Sequence, residues 1–149
     1  MRQPHFRFLV AVHALFMLDG KLLLLERQNT GYADGFLGVP AGHVDGGETI
    51  IEALKREVAE EVGIKLSANL LPAHVLHRII SSDEERIDYF FVIHDWSGKL
   101  CNTEPNKCAR LVWADVNNLP KTIIPYIRFA FDQVQSKQLF SEFSDPLPT

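Results

Sequence analysis

Residues 49–62 have the pattern of an amphipathic helix, which can fold only if an apolar layer covers its buried side. Thr49 and Glu52 have the spacing of a capping box at the start of a helix. Apolar residues recur three or four positions apart and form one stripe: Ile51, Leu54, Val58 and Val62. Gly63 follows, and it can take the left-handed conformation that ends many helices.

The covering layer is predicted to be a sheet. Two apolar runs are separated by Asp19-Gly20, a pair that is typical of a two-residue hairpin turn. The polar link 82–86 joins two further β-type segments as a second hairpin. The predicted strands cover residues 8–18, 21–27, 71–81, 87–96 and about 110–114. Six glycines within residues 29–47 predict loops and short strands, in which the backbone approaches another group closely.

A second amphipathic helix is predicted over residues 126–139, with four side chains directed inward: Ile127, Ala130, Phe131 and Val134. The tail over about 141–149 is expected to be flexible. The chain has 149 residues, enough for one core, so we predict a single domain over 1–149. Strands in the middle with two helices packed on them indicate an α+β fold arranged as a sandwich.

The composition excludes several functional classes. The formal net charge of −4 argues against a protein that binds duplex nucleic acid through its phosphates. Two cysteines, Cys101 and Cys108, are too few for a disulfide framework and predict free thiols in a reducing cytoplasm. The apolar run 8–18 is interrupted by His13 and lacks a cleavage site. The run is also shorter than the roughly 20 residues that span a bilayer, so we predict neither a signal peptide nor a membrane partner.

Three glutamates share one face of the first helix, away from its apolar stripe. Glu57 and Glu61 are four residues apart and Glu60 lies beside them, so their charges repel one another. Mg²⁺ would relieve this repulsion, because it takes oxygen ligands and keeps coordination positions for phosphates. The pattern therefore suggests metal-assisted phosphoryl chemistry. A solvated acidic helix face is the alternative that the helix alone leaves open.

The residues around this helix complete a known signature. From Gly42 the sequence runs G-H-V-D-G-G-E, seven residues follow, and it continues R-E-V-A-E-E-V-G-I to Ile64. This segment resembles the Nudix box, G-x5-E-x7-R-E-U-x-E-E-x-G-U with U apolar, at every fixed position. The chain is therefore identified as similar to MutT-like Nudix hydrolases. The resemblance implies the Nudix fold, an α/β/α sandwich with a mixed central sheet.

The resemblance also implies a reaction. Nudix enzymes hydrolyse a nucleoside diphosphate linked to another group, X, by attack of water on phosphorus with Mg²⁺ or Mn²⁺ bound. Glu57 and Glu61 match the helix glutamates that bind metal. Glu60 matches a third acidic position, which is a ligand or a candidate base. The carbonyl of Ala41, just before the box, matches a backbone metal ligand.

Other roles follow from the same resemblance. Arg56 matches the arginine that pairs with Glu48 and orients the loop. The general base varies within the family and sometimes lies outside the box; the outside candidates here are Glu84, Glu85, Asp88 and Glu104. Arg27 and His43 are our candidates for phosphate contacts, and an exposed surface position is the alternative for each.

Residues outside the box bear on the substrate. Glu104-Pro105-Asn106-Lys107-Cys108, followed by Trp113, resembles small Nudix enzymes that act on nucleoside triphosphates; a turn leading into an edge strand is the alternative. Ile79-Ile80 and Ser81-Ser82 stand where ADP-ribose enzymes have a proline and dinucleoside-tetraphosphate enzymes a tyrosine. Residues 124–127 lack the carboxylates that bind oxidised purines, so a preference for oxidised bases is not supported.

The favoured hypothesis is a Mg²⁺-dependent enzyme that converts a (deoxy)nucleoside triphosphate into the monophosphate and pyrophosphate. The second hypothesis keeps the chemistry and changes the substrate to a nucleotide sugar or another X-diphosphate. The third is a nucleotide-binding Nudix module without catalysis. Such a module is expected to have lost some of the glutamates of the box, whereas all of them are present here. A homodimer is common among such small enzymes, although no segment of the sequence indicates an interface.

Overall fold

The computed structural model describes residues 4–67 and 69–145. The regular elements follow in this order: β1 (Leu9–Leu18), β2 (Lys21–Arg27), β3 (Leu37–Gly38), β4 (Ala41–His43), α1 (Ile50–Val62), β5 (His74–Ile79), β6 (Glu85–Ile93), β7 (Cys108–Asp115), α2 (Pro125–Gln135) and β8 (Phe140–Ser144). In these two ranges, neither helix is long and apolar enough to cross a membrane.

The strands form one mixed sheet with a helix on each face. Its order is β3-β2-β1-β6-β5-β8, with β4 paired to β1 and β7 paired to β2. The pairs β1–β6 and β5–β8 are parallel, and the others are antiparallel. Alternate residues of β1 face opposite sides: Val12 and Phe16 join the core under α1, and Leu15 joins the core under α2. This arrangement is the predicted single-domain α/β/α sandwich.

The first hairpin forms where the sequence predicts it. Leu18 pairs with Lys21, so Asp19 and Gly20 alone form the turn. Their φ values of 52° and 74° are positive at both positions. A two-residue turn of this type matches the right-handed twist of the strands that it joins.

Helix α1 has the predicted ends and the predicted stripe. The side chain of Thr49 accepts a hydrogen bond from the Glu52 amide at 3.1 Å, which caps the first turn. Gly63 follows the last turn with φ 70°, and its amide donates to the carbonyl of Ala59. The buried residues are Ala53, Leu54, Val58 and Val62. Ile51 of the predicted stripe is only half-buried, because it lies at the edge of the core.

The segment after α2 differs from the prediction. Helix α2 ends at Gln135, four residues before the predicted end at 139, and Lys137 then takes a φ of 58°. The prediction of a flexible tail from residue 141 is wrong as far as Ser144, because Phe140–Ser144 form β8. Residues 146–149 of that predicted tail lie outside the described residues.

Contacts distant in sequence hold β8 in place. The strand pairs in parallel with β5. The buried ring of His74 lies 2.7 Å from the carbonyl of Gln138 and 2.6 Å from the hydroxyl of Ser141. Phe143 packs against Phe129 of α2, with ring centroids 4.9 Å apart. A short strand that depends on such partners has no local signal strong enough to reveal it.

Replacement of Gly63 by alanine should destabilise the fold. Alanine is strained at φ 70°, and its Cβ would lie 2.9 Å from Cys101 Sγ. We expect a loss of about 1–3 kcal/mol in the free energy of unfolding, measured by urea denaturation. Gly46→Ala is the matched control, because a Cβ at Gly46 meets nothing within 4 Å. Equal stability of the two variants would contradict the account of the helix end.

Candidate active site

The acidic face of α1 borders a cavity of about 510 Å³. The end of β2, the residues around β3 and β4, and the loop before β7 form its other walls. Five carboxylates line it: Glu26, Glu57, Glu60, Glu61 and Glu104. Two cationic side chains, Arg27 and Lys107, line the same cavity. The structure therefore brings three predicted metal-binding glutamates together with one of the predicted outside acids.

Arg56 ties the glycine-rich loop to the helix. Its guanidinium donates two hydrogen bonds to the Glu48 carboxylate, at 3.0 and 2.7 Å. A third bond, at 3.0 Å, reaches the carbonyl of His43. Glu48 also accepts from the amide of Asp45 at 2.8 Å, and these bonds, that of Arg56 first, lower the pKa of Glu48 to about 2. The Arg56–Glu48 pair predicted from the sequence is therefore present, and it fixes the loop.

Arg56 also orients Glu57. The guanidinium donates to the Glu57 carboxylate at 2.7 Å. Glu57 is half-buried, and its pKa is raised, mainly by this burial, although the bond from Arg56 acts to lower it. Its carboxylate lies against Gly42, where a side chain would overlap it. Only glycine at this position leaves room for the carboxylate beside β4.

Glu61 lies deeper in the cavity. Its carboxylate accepts a hydrogen bond from the amide of Ala41 at 2.8 Å. Burial is the main cause that raises the pKa of Glu61 to about 8, and the negative charges of Glu57 and Glu104 add to the effect. The neutral form of this carboxyl is therefore favoured at pH 7, and a positive charge in the cavity would favour the anion.

The donor set of the cavity fits a hard divalent cation. Glu57, Glu60 and Glu61 offer carboxylate oxygens, and these are the ligands that Mg²⁺ prefers. Across residues 4–67 and 69–145, no three such side chains are already grouped as a metal-binding cluster. Glu57 is held by Arg56, and Glu60 extends to 3.5 Å from the same guanidinium. Binding of a metal would therefore require these side chains to turn toward the cavity.

The four acids outside the box are separated by the fold. Asp88 is fully buried and pairs with Arg78 at 2.9 Å. Glu85 pairs with His77 at 2.7 Å, and Glu84 pairs with Arg86 at 3.3 Å. These three do not line the cavity beside α1, whereas Glu104 does.

The loop that carries Glu104 is attached to α1. The hydroxyl of Thr103 donates to the carbonyl of Glu60. The side chain of Asn102 accepts from the Glu104 amide at 3.2 Å and donates to the carbonyl of Cys108 at 2.7 Å. These bonds fix the backbone of Glu104 at the wall of the cavity that the helix glutamates also line.

The two predicted phosphate-binding residues have different positions. Arg27 lines the cavity, and its guanidinium donates to the carbonyl of Tyr32 at 2.8 Å and to the hydroxyl of Thr30 at 3.1 Å. His43 contributes its carbonyl to Arg56, but its side chain is not part of the cavity wall. In β4, His43 pairs with Ala11, and burial, followed by the positive charge of Arg86, lowers its pKa.

A second cavity, of about 710 Å³, was missed by the sequence analysis. Its apolar walls include Tyr32, Phe36, Ile80 and Ile124. Its charged side chains are Arg78, Glu84, Arg86 and Asp145. The loop after β2 borders both cavities, since Asn29 and Thr30 contribute to the first and residues 31–33 to the second. The contributing residues come from five distant segments, so no local pattern could have revealed the cavity.

A buried network supports the second cavity. Arg78 is only 2% exposed, and it donates to Asp88 at 2.9 Å and to Asp145 at 2.8 Å. Its guanidinium also stacks on the ring of Tyr126, 3.5 Å from the centroid. The Tyr126 hydroxyl lies 2.9 Å from His13 Nε2. Burial lowers the pKa of His13 to about 4, so this histidine is neutral at pH 7.

Comparisons with known proteins agree with the fold and the box. The family model described as "NUDIX domain" matches residues 7–133. An "ADP-ribose pyrophosphatase" from Methanocaldococcus jannaschii is 31% identical over 132 residues, which cover 86% of this chain and 74% of that protein. "Phosphatase NudJ" from Escherichia coli is 33% identical over 122 residues, which cover 77% of this chain and 72% of that protein.

Solved structures show the same architecture. The crystal structure of a MutT NUDIX hydrolase from Burkholderia pseudomallei superimposes with a TM-score of 0.77 at 29% sequence identity. The match covers 86% of this chain and 98% of that one. The alignment therefore includes nearly the whole of the bacterial protein.

The raised pKa of Glu61 predicts how metal-free stability depends on pH. Between the ordinary value of 4.5 and about 8, the folded protein holds a proton that the unfolded chain has lost. Stability should therefore fall as pH rises through this window. In Glu61→Gln this contribution disappears, while the amide oxygen can still accept from Ala41.

Urea denaturation with chelator, at pH 6 and pH 8.5, measures this effect. The stability of Glu61→Gln minus that of the wild type should increase by about 1–3 kcal/mol between the two pH values. Glu52→Gln, on the exposed side of α1, is the control and should show no such change. If the difference in stability between Glu61→Gln and the wild type were the same at both pH values, the buried carboxylate would not hold a proton.

Proposed function

This chain belongs to the NUDIX domain family and is a Nudix hydrolase with pyrophosphatase activity, and we propose that it hydrolyses (deoxy)nucleoside triphosphates to the monophosphate and pyrophosphate. The observation that carries this proposal is the first cavity, where five carboxylates and two cationic side chains converge. The negatively charged triphosphate of a substrate fits such a cavity only if metal ions balance the charge of the carboxylates. We therefore propose Mg²⁺ as the cofactor, with Mn²⁺ as a substitute.

Glu57, Glu60, Glu61 and the carbonyl of Ala41 are the proposed metal ligands. When bound, Mg²⁺ stabilises negative charge that develops on the phosphates and favours the ionisation of a coordinated water. The role of Arg56 is positional, because its bonds to Glu48 and Glu57 fix the loop and the first ligand together.

Arg27 and Lys107 are the proposed phosphate contacts of the chain itself. Both are at the wall of the first cavity, opposite the acidic helix. The hydrogen bonds of Arg27 to the loop after β2 pre-orient its guanidinium. Lys107 belongs to the E-P-N-K-C segment that resembles nucleoside triphosphate enzymes, and its place in the cavity supports a triphosphate substrate. His43 receives less support, because its side chain lies away from the cavity wall.

Glu104 is our proposed general base. Its position supports this role, because it faces the helix glutamates while the other three outside acids are engaged elsewhere. Glu60 is the alternative within the box; its side chain is 55% exposed and lies near Arg56. A base in either position would accept the proton of the attacking water as the bond to phosphorus forms.

The second cavity is the proposed site for the nucleoside. Aromatic and aliphatic walls suit a planar base, and the loop after β2 places this cavity next to the phosphate region. The same geometry would accept the ribose end of a nucleotide sugar. That alternative substrate, an X-diphosphate, is supported by the 31% identity to the archaeal protein named as an ADP-ribose pyrophosphatase.

We propose a cytoplasmic protein that binds small nucleotides and does not bind duplex nucleic acid. A homodimer is proposed from its frequency among small enzymes of this kind. A non-catalytic Nudix module is the remaining alternative, and the complete set of box residues argues against it.

A nucleotide screen with Mg²⁺ tests the reaction and its substrate. Triphosphates should release pyrophosphate and not orthophosphate, whereas an X-diphosphate enzyme would prefer nucleotide sugars or ADP-ribose in the same screen. Glu57→Gln should lower kcat on the order of 10²- to 10³-fold, because it removes a ligand that acts in the transition state. Glu52→Gln is the matched control on the same helix. Absence of turnover with every triphosphate would rule out the favoured substrate.

Four glutamine variants test the proposed base. Glu104→Gln should lower kcat about 10²-fold or more, as expected for loss of a general base. Glu52→Gln and Glu85→Gln remove acids that line neither cavity and should leave kcat within about threefold of wild type. Loss of activity in Glu60→Gln, together with a nearly unaffected Glu104→Gln, would transfer the role to Glu60.

A further inference from the structure

The C-terminal strand adds a wall to the second cavity. The family model ends at residue 133, whereas β8 spans Phe140–Ser144. Asp145 follows the strand directly and is part of the wall of the second cavity. The strand is therefore an addition to the matched domain that brings one carboxylate to the proposed nucleoside site.

Asp145 is held rigidly from two sides. Its amide donates to the carbonyl of Ile79 at 2.9 Å, which continues the pairing of β8 with β5. One oxygen of its carboxylate, Oδ2, accepts from Arg78 at 2.8 Å. Arg78 cannot move easily, because it is buried, paired with Asp88 and stacked on Tyr126. The direction of the Asp145 carboxylate is thus set by the core.

The other carboxylate oxygen of Asp145 is available to a ligand. Among the described residues, Oδ1 takes part in no hydrogen bond, and the side chain is 17% exposed. The charged groups of the cavity balance, since Arg78 and Arg86 face Glu84 and Asp145. A balanced cavity with apolar walls suits an uncharged planar group, and a carboxylate oxygen requires that this group donate an N–H.

We propose that Asp145 is a specificity-determining residue, which accepts a hydrogen bond from an N–H on the edge of the substrate's nucleobase. This inference rests on the proposed function, because it takes the second cavity as the site of the nucleoside. The class of ligand is a nucleobase with an amino group or a ring N–H at its edge. Arg78 acts through Asp145 and is a positioning residue.

Binding of nucleoside monophosphates without metal tests this role independently of catalysis. The variants are Asp145→Asn, which keeps the size and presents an amide to the ligand, and Asp145→Glu. Glu142→Gln is the matched control, because Glu142 is on the same strand, 73% exposed, and points toward His77 on the other face. Isothermal titration would compare the 5′-monophosphates of adenosine, guanosine, cytidine and uridine with that of purine riboside, which has no N–H at its base edge.

We expect the wild type to prefer at least one of the four N–H-bearing monophosphates to that of purine riboside. Asp145→Asn should weaken binding of the preferred one about 5- to 10-fold, because an ordinary hydrogen bond to a neutral amide oxygen replaces a charge-assisted one. It should leave purine riboside monophosphate unchanged. Asp145→Glu should recover part of the loss, and Glu142→Gln should match the wild type.

Two results would overturn the inference. One is that the wild type binds none of the four monophosphates. The other is that Asp145→Asn weakens all five ligands equally, which would indicate a structural role alone. In the enzyme with metal, the expected change is a higher KM with kcat almost unchanged. If no triphosphate is hydrolysed but the binding difference is present, the proposed reaction fails and the role of Asp145 stands.

Discussion

The site depends on the hydrogen bonds that the guanidinium of Arg56 donates to Glu48 and Glu57. The guanidinium joins the glycine-rich loop to α1 through Glu48 and holds Glu57 at the same time. Both functions need the helix to begin at Ile50, directly after the cap residue Thr49, because the cap fixes which residues face the loop. The absence of a side chain at Gly42 completes the arrangement, since it lets the Glu57 carboxylate lie beside β4. Loop, cap and helix face therefore form one unit.

The clustered carboxylates of this unit are electrostatically unfavourable without a cation. The acidic face of α1 carries no lysine or arginine in its last turn, and Glu61 is placed where burial disfavours its charge. A sequence selected for stability alone would place a lysine or an apolar residue there. A cation that enters the cavity would relieve this repulsion, because the carboxylates would then form metal–oxygen bonds. An acidic protein can in this way bind a polyanionic nucleotide, although its net charge of −4 disfavours nucleic acid.

The sequence predicted the parts of the molecule that depend on local rules. The Asp19-Gly20 turn, the capped helix and the Arg56–Glu48 pair all follow from spacing over a few residues or from the box. The strand β8 escaped prediction, because it depends on pairing with β5 and on the ring of His74. The second cavity and Asp145 escaped for the same reason, since residues far apart in the chain meet there only after folding. Selection of Glu104 among four outside acids likewise required the fold.

We propose that the carboxylates of α1 form a cation site and that its deepest member, Glu61, loses a proton when the cation binds. Isothermal titration of the metal-free protein with Mn²⁺ at pH 7, in two buffers of different ionisation enthalpy, measures that proton directly. The account predicts binding with release of about one proton in the wild type and almost none in Glu61→Gln. Equal proton release in both proteins, or no Mn²⁺ binding by the wild type, would contradict it.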